Sequence, residues 1–450
     1  MRSDELRIPT ERVTKTWWKE AIVYQIYPAS FFDSDGDGVG DIPGIISKLD
    51  YLQGLGVNVL WLSPIYKSPQ VDMGYDVSDY RDIHTPYGTL SDVDHLIAEL
   101  HNRRMKLLMD LVVNHTSDQH AWFKQSRSSK TDPKRDWYIW RSPRRDESGQ
   151  RLPPNNWSSI FGGSAWQYDA VTDSYYLHLF AAEQPDLNFE NPAVREAVHS
   201  DMRFWLDRGI DGFRMDSVNL LSKAPGLPDA SVSCVGAPYQ PAFKHFVNGP
   251  RIHEWLGEMN DKVLSNYDLM TVGELPMTPD PKDVLKFVAS GRKELNMVFQ
   301  TDLVDLGFGH EGKFFPYHWK LPELKRIVNK WQTLLAAQDG WNAVFLENHD
   351  NGRSVSRFAS DAPRYRLVSA KMLAMLLGTL GGTLYLYQGQ EIGMKNAPED
   401  WGLEDYIDLE VRKAWETIQA EGTGSCPVAH AMERLGERRI YNRETVDASQ

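Results

Sequence analysis

Cysteine is almost absent from this chain, since Cys234 and Cys426 are the only two in 450 residues. Two cysteines exclude a framework of disulfides, and so low a content is typical of proteins from reducing compartments. The first twenty residues are polar and charged, and they lack the apolar core of a signal peptide. These absences together predict a cytoplasmic location.

Positive charge is also scarce. Lys and Arg number 49 against 62 Asp and Glu, which gives a formal net charge of −13. This balance disfavours nucleic acid and anionic membrane as partners and suits a neutral small molecule. The one long uncharged stretch, 372–390, is interrupted by Gly378, Gly381 and Gly382. We interpret it as a buried helix followed by a strand, not a membrane span, and we expect a monomer.

Apolar, strand-like runs alternate with helix-like segments along most of the chain. The strand signals are 22–28, 57–64, 105–113, 212–216, 269–274, 297–302, 343–350 and 384–387. The early runs are apolar on both faces, as parallel strands covered by helices require. Eight such strands with helical crossovers favour an α/β fold, the closed (β/α)8 TIM barrel, over an open doubly wound sheet.

The alternation breaks between residues 114 and 185. This stretch is rich in Trp, Ser, Pro, Asp and Arg, and it is too long for a loop within a compact domain. We therefore predict a small inserted domain after the third strand, at 115–185. The barrel is then discontinuous, formed by 1–114 and 186–395, and 396–450 is a polar tail.

Three carboxylates stand at the ends of three well-separated strand signals: Asp216, Glu274 and Asp350. The carboxyl ends of barrel strands meet at one rim, where such side chains can converge. Two carboxylates can cleave a glycosidic bond, one as nucleophile and one as general acid, and a third can stabilise the transition state. Strand-end acids can also bind metal or hold loops, but three together with their flanking residues favour catalysis.

The neighbours of these acids differ in a way that suits different tasks. The apolar lead into Glu274 predicts a desolvated site, which keeps a carboxyl group protonated for general acid catalysis. Arg214 stands two residues before Asp216 on the same strand, so both point to the same side. A guanidinium at that position favours an ionised carboxylate, as a nucleophile requires.

Five short motifs occur in a characteristic order. They are Asp110–His115, Gln184–Asn188, Gly212–Asp216, Gly273–Glu274 and Glu347–Asp350, and matching segments extend from Trp17 to Gly393. They resemble the α-amylase family of glycoside hydrolases, and within it the α-glucosidases and oligo-1,6-glucosidases similar to fungal maltases. The resemblance implies that Asp216 is the nucleophile, Glu274 the acid/base and Asp350 the transition-state stabiliser. We expect a retaining mechanism, with the first two carboxylates about 5 Å apart.

The same resemblance implies a set of sugar ligands around these acids. His115 and His349 match positions that hydrogen-bond the sugar in the cleavage subsite, Asp72 would hold its non-reducing end, and Tyr75 would stack on its ring. A structural role is the alternative for the histidines, and an ordinary turn for Asp72 and Tyr75. A metal at the histidines is disfavoured, because no third ligand stands at suitable spacing.

The residue after the nucleophile correlates with linkage preference in similar enzymes. Val accompanies α-1,6 bonds, and smaller or hydroxylated residues accompany α-1,4 bonds. Here the residue is Ser217, whose small hydroxyl group leaves room for the departing glucose. With Arg214, Ser217 completes the expected set of substrate-binding residues. A serine at this position favours maltose over isomaltose as the substrate.

An acidic loop follows the first strand signal, with carboxylates and glycines alternating. Its expected oxygen ligands are Asp33, Asp35, Asp37, Val39 and Asp41. The spacing resembles a calcium loop, although the position of the closing Glu of an EF-hand is Gly44. We expect a structural Ca²⁺ and no cofactor for catalysis, with a solvated acidic turn as the alternative.

These residues predict a retaining exo-α-glucosidase that acts on maltose and short α-1,4-oligosaccharides, with sucrose as a further candidate. The alternatives are an oligo-1,6-glucosidase, a transglucosidase, and an inactive paralogue with a binding role. An endo-acting amylase is disfavoured by the Gln184–Asn188 segment. Family members continue after the eighth strand with a last barrel helix and a C-terminal β-sandwich, and we expect this sequence to lack both.

Overall fold

An eight-stranded parallel sheet forms the centre of the molecule in the computed structural model, which describes residues 16–420 apart from 310–312, 314–315, 338, 399–400 and 402. The strands are β1 (Ile22–Ile26), β2 (Val59–Leu62), β3 (Lys106–Leu111), β4 (Gly212–Met215), β5 (Met270–Glu274), β6 (Met297–Phe299), β7 (Ala343–Val344) and β8 (Thr383–Tyr387). Their order is β6-β5-β4-β3-β2-β1-β8-β7. A parallel bridge between Val298 and Asn342 joins the two ends of this order. The predicted (β/α)8 barrel is confirmed.

Helices lie along the chain between and after these strands. They are α1 (Ile42–Ser47), α2 (Leu49–Gly54), α3 (Leu90–Asn102), α4 (Ala121–Ser128), α5 (Pro192–Arg208), α6 (Ile252–Lys262), α7 (Pro281–Val288), α8 (Leu321–Ala337), α9 (Ser354–Phe358), α10 (Arg366–Thr379) and α11 (Leu409–Ala420). The helical spacing of residues 42–55 is divided between α1 and α2, because the backbone at Lys48 (φ −104°, ψ 3°) leaves the helical conformation. The stretch 372–390 contains the end of α10 followed by β8, as predicted. The expected burial of this helix is wrong, since Met372 and Met375 are 50% and 67% exposed.

Part of the polar tail, α11, is helical. Residues 421–450, including Cys426, lie outside the described residues, so the expected lack of a last barrel helix and a β-sandwich stays a prediction. In the part of the chain that the structure describes, no helix combines the length and the apolar character needed to cross a bilayer.

Two apolar clusters show to which side of the sheet each side chain of the barrel strands points. One fills the barrel interior and includes Trp61, Val272 and Phe299. The other lies between the strands and the helices and includes Phe213 and Met215 of β4. Successive side chains of a strand point to opposite faces, so Arg214, between those two residues, points into the barrel.

The segment between β3 and α5 contains α4 and a small sheet of Trp140–Arg141, Ser174–Leu177 and Trp166–Asp169. An antiparallel bridge between His115 and Asp186 ties its two ends together beside β3. An apolar cluster joins Trp157, Leu177 and Leu179 of this segment to Leu220 and Phe246, which follow β4. The precise division of the chain into domains stays a prediction, but this segment returns to the barrel beside the point where it leaves.

Candidate active site

One cavity of about 220 Å³ opens at the carboxyl ends of the barrel strands. Eight of the nine predicted catalytic and substrate-binding residues line it: Asp72, Tyr75, His115, Arg214, Asp216, Ser217, Glu274 and Asp350. The register brings several of them side by side, because Arg214 of β4 pairs with Asp110 of β3 and with Val272 of β5. The three separate acids therefore share one pocket.

Arg214 is the centre of the site. Its Nη1 donates to Asp110 Oδ1 and to Asp216 Oδ1, each at 2.8 Å, and its Nη2 donates to Glu274 Oε2 at 2.8 Å. The guanidinium is buried, and a buried charge is tolerated only when it is paired and hydrogen-bonded in this way. Three carboxyl groups share one cation, so full ionisation of all three is disfavoured.

Glu274 is the carboxyl group best suited to hold a proton. Burial raises its pKa to about 7, the attraction of Arg214 opposes this rise, and the nearby Asp216 and Asp350 add to it. A group with such a pKa is partly protonated at neutral pH and can act as a general acid.

Asp216 sits in the same buried surroundings, and burial raises its pKa above the ordinary value while Arg214 opposes the rise. The next residue, Ser217, has a left-handed backbone (φ 39°, ψ 39°). This turn directs the Ser217 N–H to Glu274 Oε2 at 3.1 Å, with the hydroxyl at 3.5 Å from the same oxygen. The turn after Asp216 therefore also orients Glu274.

His349 is the one predicted sugar ligand that does not line the cavity. Its Nδ1 lies 2.9 Å from Gln25 Nε2, and its Nε2 lies 2.7 Å from Tyr75 Oη and 3.3 Å from Asp350 Oδ2. Its ring also stacks on that of Tyr75, with centroids 5.3 Å apart and planes at 5°. Both ring nitrogens face protein atoms, so His349 lies behind Tyr75 and Asp350 in this structure.

Asp72 and His115 meet at a third residue of the site, Gln184. The amide nitrogen of Gln184 donates to Asp72 Oδ2 at 2.9 Å and lies 3.2 Å from His115 Nε2. All three side chains are buried. The segment 184–188, which the sequence singled out as a motif, therefore supports two of the predicted sugar ligands.

Sequence reasoning missed several residues of the site. Asp110 is fully buried and also accepts hydrogen bonds from Trp61 Nε1 (3.2 Å) and Tyr75 Oη (3.1 Å). Strand alternation could have identified it, since it is an acid within the apolar run Leu107–Leu111 and opens the motif Asp110–His115. The opposite wall includes Lys313 and Glu410, paired at 2.5 Å. No local pattern links those two, because α11 lies almost a hundred residues further along the chain.

The acidic loop brings Asp33, Asp35 and Asp37 together, with one carboxylate oxygen of each within 4.8 Å of the others. Backbone N–H groups of Gly38, Gly36 and Asp35 lower the pKa of Asp33. Asp41 instead caps α1 by accepting the Gly44 N–H at 2.6 Å, and it lies outside this trio. Hard carboxylate oxygens gathered in this way suit Ca²⁺.

Comparison with known proteins places the chain among carbohydrate-active enzymes. The family model described as alpha amylase, catalytic domain, matches residues 25–437. The α-glucosidase of Schizosaccharomyces pombe is 50% identical over 439 residues, which are 97% of this chain and 76% of that protein. The oligo-1,6-glucosidase of Parageobacillus thermoglucosidasius is 54% identical over 431 residues, 96% of this chain and 75% of that protein.

Solved structures agree with this grouping. An isomaltulose synthase variant from Erwinia rhapontici NX5, in complex with its natural substrate sucrose, has a TM-score of 0.89 at 43% identity, covering 96% of this chain and 75% of that one. The trehalose-6-phosphate hydrolase of Bacillus licheniformis has a TM-score of 0.83 at 45% identity, covering 93% and 73%. By its sequence, its barrel and its cluster of strand-end acids, the chain belongs to the α-amylase family and is a glycoside hydrolase.

Proposed function

We propose that this glycoside hydrolase is a retaining exo-α-glucosidase that releases terminal α-1,4-linked glucose from maltose and short oligosaccharides. The observation that carries the proposal is Arg214 bridging Asp216 and Glu274 in a pocket that also contains Asp350. Relatives named α-glucosidase and oligo-1,6-glucosidase support this class of reaction. Specificity within the class rests on the argument from Ser217.

In the proposed first step, Asp216 attacks the anomeric carbon while Glu274 donates its proton to the glycosidic oxygen, and the aglycone leaves. In the second step Glu274 removes a proton from water, which displaces Asp216 and regenerates the carboxylate. Asp350 stabilises the positive charge that develops on the sugar ring in both steps. Arg214 holds the first two carboxyl groups in place and disfavours protonation of Asp216.

The charge of the pocket favours neutral sugars. Among the residues that the structure describes, six acidic side chains line it, Asp72, Asp216, Glu274, Asp305, Asp350 and Glu410, against two cationic ones, Arg214 and Lys313. Both cations are engaged by carboxylates of the same pocket. A phosphorylated sugar would meet net negative charge, and we therefore propose that sugar phosphates are not substrates of this chain.

Linkage preference is tested by a substrate panel on the purified chain and on Ser217→Val. We expect kcat/KM for maltose to exceed that for isomaltose, with sucrose cleaved and trehalose 6-phosphate left intact. Val is bulkier than Ser, leaves less room for the departing glucose of maltose, and fits the left-handed backbone at this position poorly. We therefore expect Ser217→Val to lower maltose hydrolysis. From the correlation in similar enzymes, we also expect the ratio of isomaltose to maltose cleavage to rise. Ser217→Ala is the matched control for loss of the hydroxyl alone. Isomaltose cleaved far faster than maltose by the unaltered chain would contradict the assignment.

We further propose that the loop of Asp33, Asp35 and Asp37 binds a structural Ca²⁺. At a Ca²⁺ concentration 100 times the Kd, we expect about 2.7 kcal/mol of added stability. Calorimetry should then show a higher Tm in Ca²⁺ than in EDTA, with kcat unchanged once the protein is folded. Asp35→Asn/Asp37→Asn should abolish the difference, while a substitution in the exposed turn at Asp146, Asp146→Asn, should leave it intact. Equal Tm values with and without Ca²⁺ would contradict the proposal.

We also propose that the enzyme works as a cytoplasmic monomer on a small oligosaccharide, with no nucleic acid or membrane partner. The low cysteine content, the exposed free thiol of Cys234 and the net negative charge support this setting.

A further inference from the structure

Lys223 is a buried charged residue close to the site to which the proposed mechanism gives no task. Lys223 follows β4 and the turn after Asp216, and its side chain is only 5% exposed. Its Nζ lies 2.7 Å from Asp186 Oδ2 and donates to Asn114 Oδ1 at 2.8 Å. Burying an ammonium and a carboxylate together carries a large desolvation cost, so such a pair is weak evidence of a purely stabilising role.

The contacts of Lys223 fix the orientation of the Asn114 side chain. An ammonium group only donates hydrogen bonds, and an ionised carboxylate only accepts them. Lys223 therefore selects the oxygen of the Asn114 amide, and the amide nitrogen faces Asp186 Oδ2 at 3.2 Å and His115 Nδ1 at 3.4 Å. A nitrogen that accepts this N–H carries no proton, so the proton of the neutral His115 ring must be on Nε2.

The surroundings of Nε2 agree with this assignment. Nε2 lies 3.0 Å from the carbonyl oxygen of Tyr75, which can only accept. The amide nitrogen of Gln184, oriented by the acceptance of the Ala181 N–H at Oε1, donates one hydrogen to Asp72 and lies 3.2 Å from Nε2. Its second hydrogen opposes a proton on Nε2, so the assignment rests on the carbonyl oxygen of Tyr75, which lies closer. His115 thus carries its proton on Nε2, where in this structure it donates to the carbonyl oxygen of Tyr75. The oxygen of a sugar hydroxyl at the pocket wall can share this N–H group as a second acceptor.

We propose that Lys223 is a positioning residue which, through Asn114, holds His115 in the Nε2–H tautomer used to bind the sugar. The chain of contacts joins the loop after β4, the end of β3 and the return of the inserted segment at Asp186. It assigns a role to the motif at 184–188, since Gln184 orients Asp72 while Asp186 and Lys223 orient Asn114. The binding role of His115 rests on the proposed function, but its tautomer does not.

The tautomer is tested directly by nuclear magnetic resonance on the full chain with ¹⁵N-labelled histidine at neutral pH, without ligand. The His115 signals are assigned by their loss in His115→Ala. We expect protonated Nε2 and unprotonated Nδ1 in the unaltered protein, and a mixture of tautomers in Lys223→Met. Protonated Nδ1 in the unaltered protein overturns the proposal whatever the variants do, as does an unchanged spectrum in folded Lys223→Met.

A kinetic cycle separates positioning from general stabilisation. We expect Lys223→Met to lower kcat/KM for maltose by about 10- to 100-fold, by analogy with the loss that follows removal of a group orienting a metal ligand. In the His115→Ala background the same change should cost far less, because the residue it positions is gone. Equal losses in both backgrounds overturn the proposal. Arg127→Met, which breaks the ion pair with Asp169 outside the pocket, should have the same small effect in both.

Circular dichroism and a second variant serve as controls for loss of folding. Lys223→Met leaves Asp186 as a lone buried charge, whereas Lys223→Met/Asp186→Asn removes both charges and is expected to fold. The tautomer mixture should appear in this double variant as well, and its absence there counts against the proposal. If the unaltered chain cleaves no glucoside, the proposed function fails, and the resonance experiment still decides the role of Lys223.

Discussion

Replacing Asp216 with Asn lowers kcat for maltose by about 10⁴-fold or more, the scale seen when a catalytic nucleophile is removed. Asn has nearly the same shape and can still hydrogen-bond its neighbours, but it cannot form the covalent glycosyl intermediate. The expected loss is in kcat, with substrate binding retained. Initial rates and isothermal titration with maltose measure the two quantities separately.

The control for this change is Asp280→Asn. Asp280 caps α7 by accepting the Lys282 N–H, and Asn serves as well in that position. It lies outside the cavity lining, so its variant should keep full activity. If Asp216→Asn retained a tenth or more of the activity of this control, Asp216 would not be the nucleophile.

Replacing Glu274 with Gln has the second-largest expected effect, and its size depends on the leaving group. We expect maltose hydrolysis to fall by about 10²- to 10⁴-fold, the range for loss of general acid–base catalysis. Formation of the glycosyl-enzyme from p-nitrophenyl α-glucoside should fall far less, since nitrophenolate leaves without protonation. Azide should restore turnover of that substrate by replacing water, which Glu274 no longer activates. Equal losses for both substrates and no rescue by azide would exclude Glu274 as the acid/base.

The same residue sets the pH dependence. Its acid form is needed to protonate the leaving group, and its pKa is raised to about 7. Activity on maltose should therefore fall as the pH rises through about 7, and this alkaline limb should be absent from the residual activity of Glu274→Gln. The pH profile of kcat/KM on the two proteins measures the difference.

The barrel was predictable from the sequence because its strands are continuous apolar runs, and because acids at strand ends must share a rim. The break at Lys48 was not, since the residues on both sides suit a helix. The left-handed turn at Ser217 has no local signal, because Ser is not a residue that favours this conformation. The turn depends on a tertiary contact between the ends of β4 and β5, where the Ser217 N–H donates to Glu274.

The site was predictable where strand alternation determines direction, as for Arg214 and Asp216. The position of His349 depends on its contacts with Gln25 and Tyr75, which come from distant parts of the chain. The Lys313–Glu410 pair likewise depends on how α11 packs over the rim. Motifs locate the chemistry, but the partners that orient each group are tertiary contacts.

The central claim is that Asp216 and Glu274 act as a nucleophile and an acid/base on opposite sides of one sugar. The most direct test is the anomeric form of the first product, followed by ¹H nuclear magnetic resonance while the chain hydrolyses p-nitrophenyl α-glucoside. Double displacement at one carbon predicts that α-glucose appears first and that β-glucose follows only by mutarotation. If β-glucose appears first, water attacks the sugar directly, and the assignment of Asp216 as a covalent nucleophile is wrong.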